Sequence, residues 1–270
     1  SEPMGLDNQW DLWVDDTGKA AISIRGTTTN PESWLANFYA SMVPAKGSIQ
    51  IADNQFFNYS FSNHPEAAVH VGWLLCTAYL ANDIIPKIIE LYQQESYDFL
   101  IIGHSQGGAI AFLLTSHLAN LQAEGVLPSN LNFKTYCSAA PKPGNLFYAY
   151  EFEALTQNGW AYNVVNAADW VPEVPISIQT LDDLYCHSKK IALKHVYNQL
   201  DQPTKKALKN YQKYLGEMIS KAVQDHIPGF NPPEYFDSNN YVRTGTSVVL
   251  MPDDEYYTLF PKETKDFFTH

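Results

Sequence analysis

Hydrophobic positions along the chain change period several times, and each change predicts an element. The alternating apolar positions Trp10, Leu12 and Val14 predict a strand; DDTG (15 to 18) reads as a turn and AAISI (20 to 24) as the partner strand. A polar stretch carrying scattered aromatics, from 38 to 65, reads as a loop. Ala67 to Gln94 then predicts a helix, interrupted or kinked near Pro86. Beyond it strands and helices alternate: DFLIIG (98 to 103) a short apolar strand, 106 to 121 an apolar helix, LNFKTYCSA (131 to 139) a strand, 144 to 157 a helix, AYNVVNA (161 to 167) a strand. Apolar strands separated by helices predict a mostly parallel sheet with helices on both faces, an α/β architecture. The region from about 176 to 240 breaks this rhythm with helical, lysine-rich sequence before TSVVLMP (246 to 252) supplies a last strand. With no linker and no internal repeat, residues 1 to 270 read as a single domain carrying an insertion.

Composition narrows the class. With 270 residues, 45% hydrophobic and 17% charged, the chain can bury one large core. No run of eighteen apolar residues predicts a membrane span. A net charge of −12 argues against nucleic acid as a partner. Cys76, Cys137 and Cys186 lack the spacing of a zinc site or a disulfide framework, and neither H-E-x-x-H nor a phosphate-cradling glycine loop occurs, so no metal or organic cofactor is expected. The chain opens on SEPMG without an initial Met, which reads as a trimmed N-terminus, from a cleaved signal peptide or an expression tag; a secreted or periplasmic setting is the expectation.

The chemistry concentrates in FLIIGHSQGGAIAFLL (99 to 114), where strand gives way to helix across five small or polar residues. Gly103-His104-Ser105-Gln106-Gly107 fits G-x-S-x-G in the strand-turn-helix context that gives the motif meaning. A serine on so sharp a turn takes an unfavourable backbone conformation, and the residues two before and two after must be small to let the chain pass. The hydroxyl then projects above the carboxyl ends of the strands, beside a helix N-terminus that favours developing negative charge. Ser105 is the candidate nucleophile. It needs a general base and an orienting carboxylate, in the chain order Ser, acid, His; NVVNAADWVPEVP delivers Asp169 just past a predicted strand.

SIRGTTTNPESWLAN, VHVGWLLCTAY, IIGHSQGGAIAFLL, TYCSAAPKPGN and YNVVNAADWVPEVP resemble, in order, the successive signatures of the class 3 lipases, serine esterases of the α/β-hydrolase fold, over roughly residues 20 to 175, with a weaker echo at YVRTGTSVVL. The resemblance implies Ser105 as nucleophile and Asp169 as the acid. It also implies an oxyanion hole from Thr27, in the Arg25-Gly26-Thr27 turn, and the backbone N–H of Gln106. In this fold the catalytic histidine follows the last strand, and His270 is the one histidine after TSVVLMP. His226, His195 and His187 also satisfy the chain order, and a base past residue 270 stays open.

Of the 17 basic residues, eight are lysines between Lys189 and Lys221, opposed there by only Asp201 and Glu217. PTKKALKNYQKYLGEMISKAV places Leu208, Tyr211, Leu215, Met218 and Ala222 on one helical stripe with Lys205, Lys206, Lys209 and Lys213 largely off it, which fits a solvated surface helix or a lid touching an anionic lipid surface. The aromatic loop 38 to 65, with Phe38, Tyr39, Phe56, Phe57, Tyr59 and Phe61, is a second candidate for an acyl-chain wall or lid, and its aromatics fit ordinary core equally well. The expected activity is hydrolysis of carboxylic esters, acylglycerols first, through an acyl-enzyme. Short-chain esters and phospholipid acyl esters would use the same machinery, and a member that lost its base would only bind lipid or protein. Oligomeric state is not readable from the sequence.

Overall fold

The computed structural model describes residues 1–180, 183 and 190–261. In chain order the strands are β1 (Trp10–Val14), β2 (Ala20–Ile24), β3 (Met42–Pro44), β4 (Lys46–Ala52), β5 (Gln55–Ser60), β6 (Ala68–His70), β7 (Asp98–His104), β8 (Asn132–Ser138), β9 (Gly144–Asn145), β10 (Ala161–Asn166), β11 (Tyr241–Val242) and β12 (Thr246–Leu250). The helices are α1 (Pro31–Phe38), α2 (Val71–Gln93), α3 (Gln106–Ala123), α4 (Leu146–Leu155), α5 (Lys190–Tyr214), α6 (Ser220–His226) and α7 (Asp254–Leu259). A π turn, Leu215–Ile219, joins α5 to α6.

Six strands form the main sheet in the order β1-β2-β7-β8-β10-β12. Only β1 runs antiparallel to its neighbour; every other pairing is parallel, so the sheet is mixed but mostly parallel, the α/β-hydrolase arrangement expected from the alternation of elements. On one face Ile22, Phe99, Ile101 and Cys137 are buried under α3, whose residues are apolar nearly all round, as a helix enclosed by a core must be. Leu100, Ile102 and Val164 on the other face are half-buried, and Tyr136, Val248 and Leu250 are exposed. Elements 98–104, 106–123, 132–138 and 161–166 fall within two residues of their predicted bounds.

The stretch from 38 to 65 differs from the loop expected of it. It folds into β3 and the β4–β5 hairpin, with Ile49, Ile51, Phe57 and Tyr59 buried in the core. The inward residues alternate along each strand, Ile49 with Ile51 and Phe57 with Tyr59, but Phe56 points to solvent beside them and blurs the period. Tyr39, Phe57, Tyr59 and Phe61 are therefore core rather than lid, while Phe38 and Phe56 are exposed. Likewise the residues before Val71 belong to β6, and α2 runs unbroken through Pro86.

Helix α1 is seated on α2 by one close approach. A Cβ at Gly72 would lie 2.0 Å from the carbonyl oxygen of Ala36, so only glycine allows the two backbones to meet there. Gly72→Ala is expected to push α1 outward and cost about 1–3 kcal/mol, as overpacking does, read as a lowered Tm in thermal denaturation.

Candidate active site

The turn between β7 and α3 places Ser105 at φ 55° and ψ −127°, a left-handed conformation that a non-glycine residue adopts only under constraint. Close packing on three sides supplies it. A Cβ at Gly103 would lie 2.2 Å from the carbonyl oxygen of Gly107; one at Gly107, 2.3 Å from that of Ile24; one at Gly26, 2.8 Å from that of His104. The G-x-S-x-G spacing is thus a demand of backbone crossing backbone. The Ser105 N–H donates to Ser138 O at 2.9 Å, and Ser105 O accepts the first helical bonds of α3. His104 is exposed beside it, with Nδ1 2.9 Å from Ser138 Oγ.

Ser105 opens onto a cavity of about 430 Å³ that Gly26, Thr27, Gln106 and Asp169 also line. Four of the five residues expected from the sequence therefore share one cavity. The fifth, His270, lies outside the described residues, as does His187. His226 lies within them, on α6, where its Nε2 is 3.6 Å from Glu32 Oε1, and it is not among the residues lining the cavity. Asp169 closes a turn that begins at Asn166: its N–H donates to Asn166 O at 3.0 Å, Asn166 Oδ1 accepts the Ala168 N–H, and Asp169 Oδ1 accepts the Val171 N–H at 2.9 Å.

The geometry around Thr27 contains groups that the sequence reading did not single out. Trp73 Nε1 donates to Asn37 Oδ1 at 3.1 Å, and Gln106 Nε2 donates to the same oxygen at 3.0 Å. The Gln106 amide is itself oriented, because Nε2 also donates to the carbonyl of Ser33 while Oε1 accepts from Ser33 Oγ. An indole N–H can only donate and a backbone carbonyl can only accept, so both amides have one consistent orientation. Asn37 must then present its NH₂, which donates to Thr27 Oγ1 at 2.9 Å. The threonine hydroxyl accepts from Asn37, a bond that does not use its own hydrogen. Gln106, first residue of α3, contributes a backbone N–H of the kind that helix starts leave without an intrahelical partner.

His70 completes the support behind Trp73. Its Nδ1 accepts the Trp73 N–H at 3.2 Å, its ring stacks on the indole at 3.7 Å, and full burial lowers its pKa to about 3 against the backbone hydrogen bonds that favour the cation, so it stays neutral.

Asp7 clamps the turn from outside. It accepts from Arg25 on one side of Gly26-Thr27 and from Thr28 and Asn30 on the other. Burial pushes its pKa up, but hydrogen bonds from Thr28 and Asn30 and the charge of Arg25 outweigh this and leave it below the usual 3.8. A carboxyl with a depressed folded pKa contributes stability above its unfolded value and loses it as pH falls through the folded one. Asp7→Asn is expected to cost about 1–2 kcal/mol at neutral pH, with the gap to the wild type closing as pH falls below 3.8, measured by urea unfolding of both proteins across that range.

The phospholipase A1-Ialpha2, chloroplastic, of Arabidopsis thaliana is 28% identical over 160 residues, covering 57% of this chain and 32% of its own length. The secreted mono- and diacylglycerol lipase MDL4 of Malassezia globosa is 31% identical over 174 residues, covering 62% of this chain and 50% of its own. The chain thus spans a third to a half of these relatives. A solved fungal lipase in complex with an inhibitor superposes with a TM-score of 0.50 at 22% identity, over 64% of this chain and 58% of that one, a likeness of fold. The model of the family described as Lipase (class 3) matches residues 21–178, which hold Thr27, Ser105, Gln106 and Asp169, and the chain belongs to that family.

Proposed function

We propose that this chain hydrolyses carboxylic esters of acyl lipids, acylglycerols first, through an acyl-enzyme on Ser105. The observation that carries the reading is the strained Ser105 opening onto the same cavity as Thr27, Gln106 and Asp169. In this mechanism an imidazole takes the Ser105 proton as Oγ attacks the ester carbonyl. The Thr27 hydroxyl and the Gln106 N–H stabilise the oxyanion, a contribution of about 3 kcal/mol per donor. The imidazolium then protonates the departing alcohol, and water repeats the cycle to release the acid. Asp169 orients the imidazole and stabilises its charge. His270, the histidine after β12, is the base in this proposal. Relatives acting on mono- and diacylglycerols support the substrate class, and their secreted character supports an extracellular setting.

The insertion brings basic and apolar groups to one surface beside the cavity. Lys206, Lys209, Lys213 and Lys221 are exposed, as are Tyr214 and Met218, at 64% and 56%. This composition suits contact with an anionic lipid surface. Vesicle binding is expected to be stronger for anionic than for neutral lipids and to weaken when these lysines become Gln; equal binding in either comparison refutes the contact.

A fluorophosphonate probe tests the catalytic reading. The wild type is expected to be labelled at Ser105 and Ser105→Ala not at all. His270→Ala should slow ester turnover roughly 10⁴-fold, and His226→Ala should leave it within about twofold. An unlabelled wild type would mean a lipid-binding member of the fold without hydrolytic activity.

A further inference from the structure

Two residues of the cavity wall come from outside the part of the chain that the family model matches. Tyr211 and Leu215 line the cavity, whereas the match ends at residue 178. Thr27, Ser105, Gln106 and Asp169 fall within the match, but this wall is supplied by the lysine-rich insertion.

The wall is fixed by an irregularity in the helix. A plain α-helical stripe through Leu208, Tyr211 and Leu215 would continue to Met218 and Ala222. Met218 is instead 56% exposed, and the inward residues after Leu215 are Ile219 and Val223, one position later in each case. The π turn Leu215–Ile219 accounts for this, since a turn closed i to i+5 holds one extra residue and moves every later side chain back by one. Its cause lies in Tyr235. A Cβ at Gly216 would lie 2.7 Å from Tyr235 Cε2, so the bare backbone of Gly216 rests on the phenol ring. Tyr235 Oη donates to Gly216 O at 3.2 Å and lies 2.7 Å from Tyr39 Oη, which ties the turn to the residue capping α1. One turn earlier, Gln212 Nε2 donates to the carbonyls of Phe236 and Ser238. The segment bearing Tyr211 and Leu215 is therefore held from both sides.

These two side chains share the cavity with Trp34 and Phe38 of α1 and with Val174 and Ile176 of the segment after Asp169. The result is a largely apolar trough that Ser105, α1, the segment after Asp169 and the insertion line together. We propose that Tyr211 and Leu215 set the acyl-chain length that the trough accepts, a statement that rests on the ester-hydrolase reading above. An apolar wall selects by occupied volume, where one methylene is worth roughly 10- to 200-fold in kcat/KM.

The test is a panel of nitrophenyl esters from acetyl to hexadecanoyl, with fluorophosphonate labelling of Ser105 run alongside. Leu215→Trp is expected to lower kcat/KM for the longest esters by at least about tenfold while leaving the acetyl ester within about twofold. Leu215→Ala and Tyr211→Ala, which only remove atoms, should move the preferred chain upward and keep the inference testable if the larger side chain unfolds the protein. Asn210→Trp, at the exposed neighbour of Tyr211 that does not line the cavity, should leave the profile unchanged. Normal labelling with an unshifted profile in the Leu215 and Tyr211 variants overturns the inference and leaves the hydrolase reading intact, as does an Asn210→Trp shift equal to that of Leu215→Trp. An unlabelled wild type overturns the reading on which it rests.

Discussion

Everything at this site depends on one backbone constraint: Ser105 is held at a positive φ because three neighbouring glycines leave no side chains in the way. Gly103 and Gly107 meet across the turn, Gly107 also rests on the end of β2, and Gly26 lies against His104. The same packing that imposes the strain brings the chain after β2 beside the nucleophile. Thr27 follows directly, so strain at the serine and placement of the proposed oxyanion donor have a single origin. The strain is balanced by burial elsewhere, in a core running from β1 to α3.

Around that corner the polar groups act as a chain of fixed orientations. The indole of Trp73 and the carbonyl of Ser33 each have one hydrogen-bonding sense, and these two fix the amides of Gln106 and Asn37. The hydroxyl of Thr27 accepts from Asn37, so in the proposed reaction its hydrogen is available to the oxyanion without reorganisation. Asp7 and Arg25 hold the same turn from the protein surface. The proposed oxyanion stabilisation thus draws on groups some distance from the reacting atoms.

The sheet and the nucleophile corner were legible in the sequence because each rests on a local pattern. Continuous apolar runs mark β7, β8 and β10, and the glycine spacing marks the corner. Asn37, Trp73 and Asp7 were not legible, because their roles arise from contacts 10 to 36 residues apart in the chain that leave no local period. The β4–β5 hairpin was hidden by Phe56, an exposed aromatic beside a buried one. The stripe in the insertion was read correctly as far as Leu215 and then lost register, since a π turn imposed by a distant tyrosine cannot be counted from a 3.6-residue period. The histidine assigned as base falls on residues that the structure does not describe.

Helix α1 carries two jobs on eight residues. Its Trp34 and Phe38 line the cavity, while Ser33 and Asn37 bond the Gln106 amide and the Thr27 hydroxyl. In the proposed reaction, a chain seated against the first pair would press on the scaffold of the second, so contacts made by the remote tail of a substrate would be mechanically joined to the atoms that steady the transition state. Binding energy from the tail would then be expressed in turnover as well as in affinity, and a truncated substrate would forfeit speed along with grip.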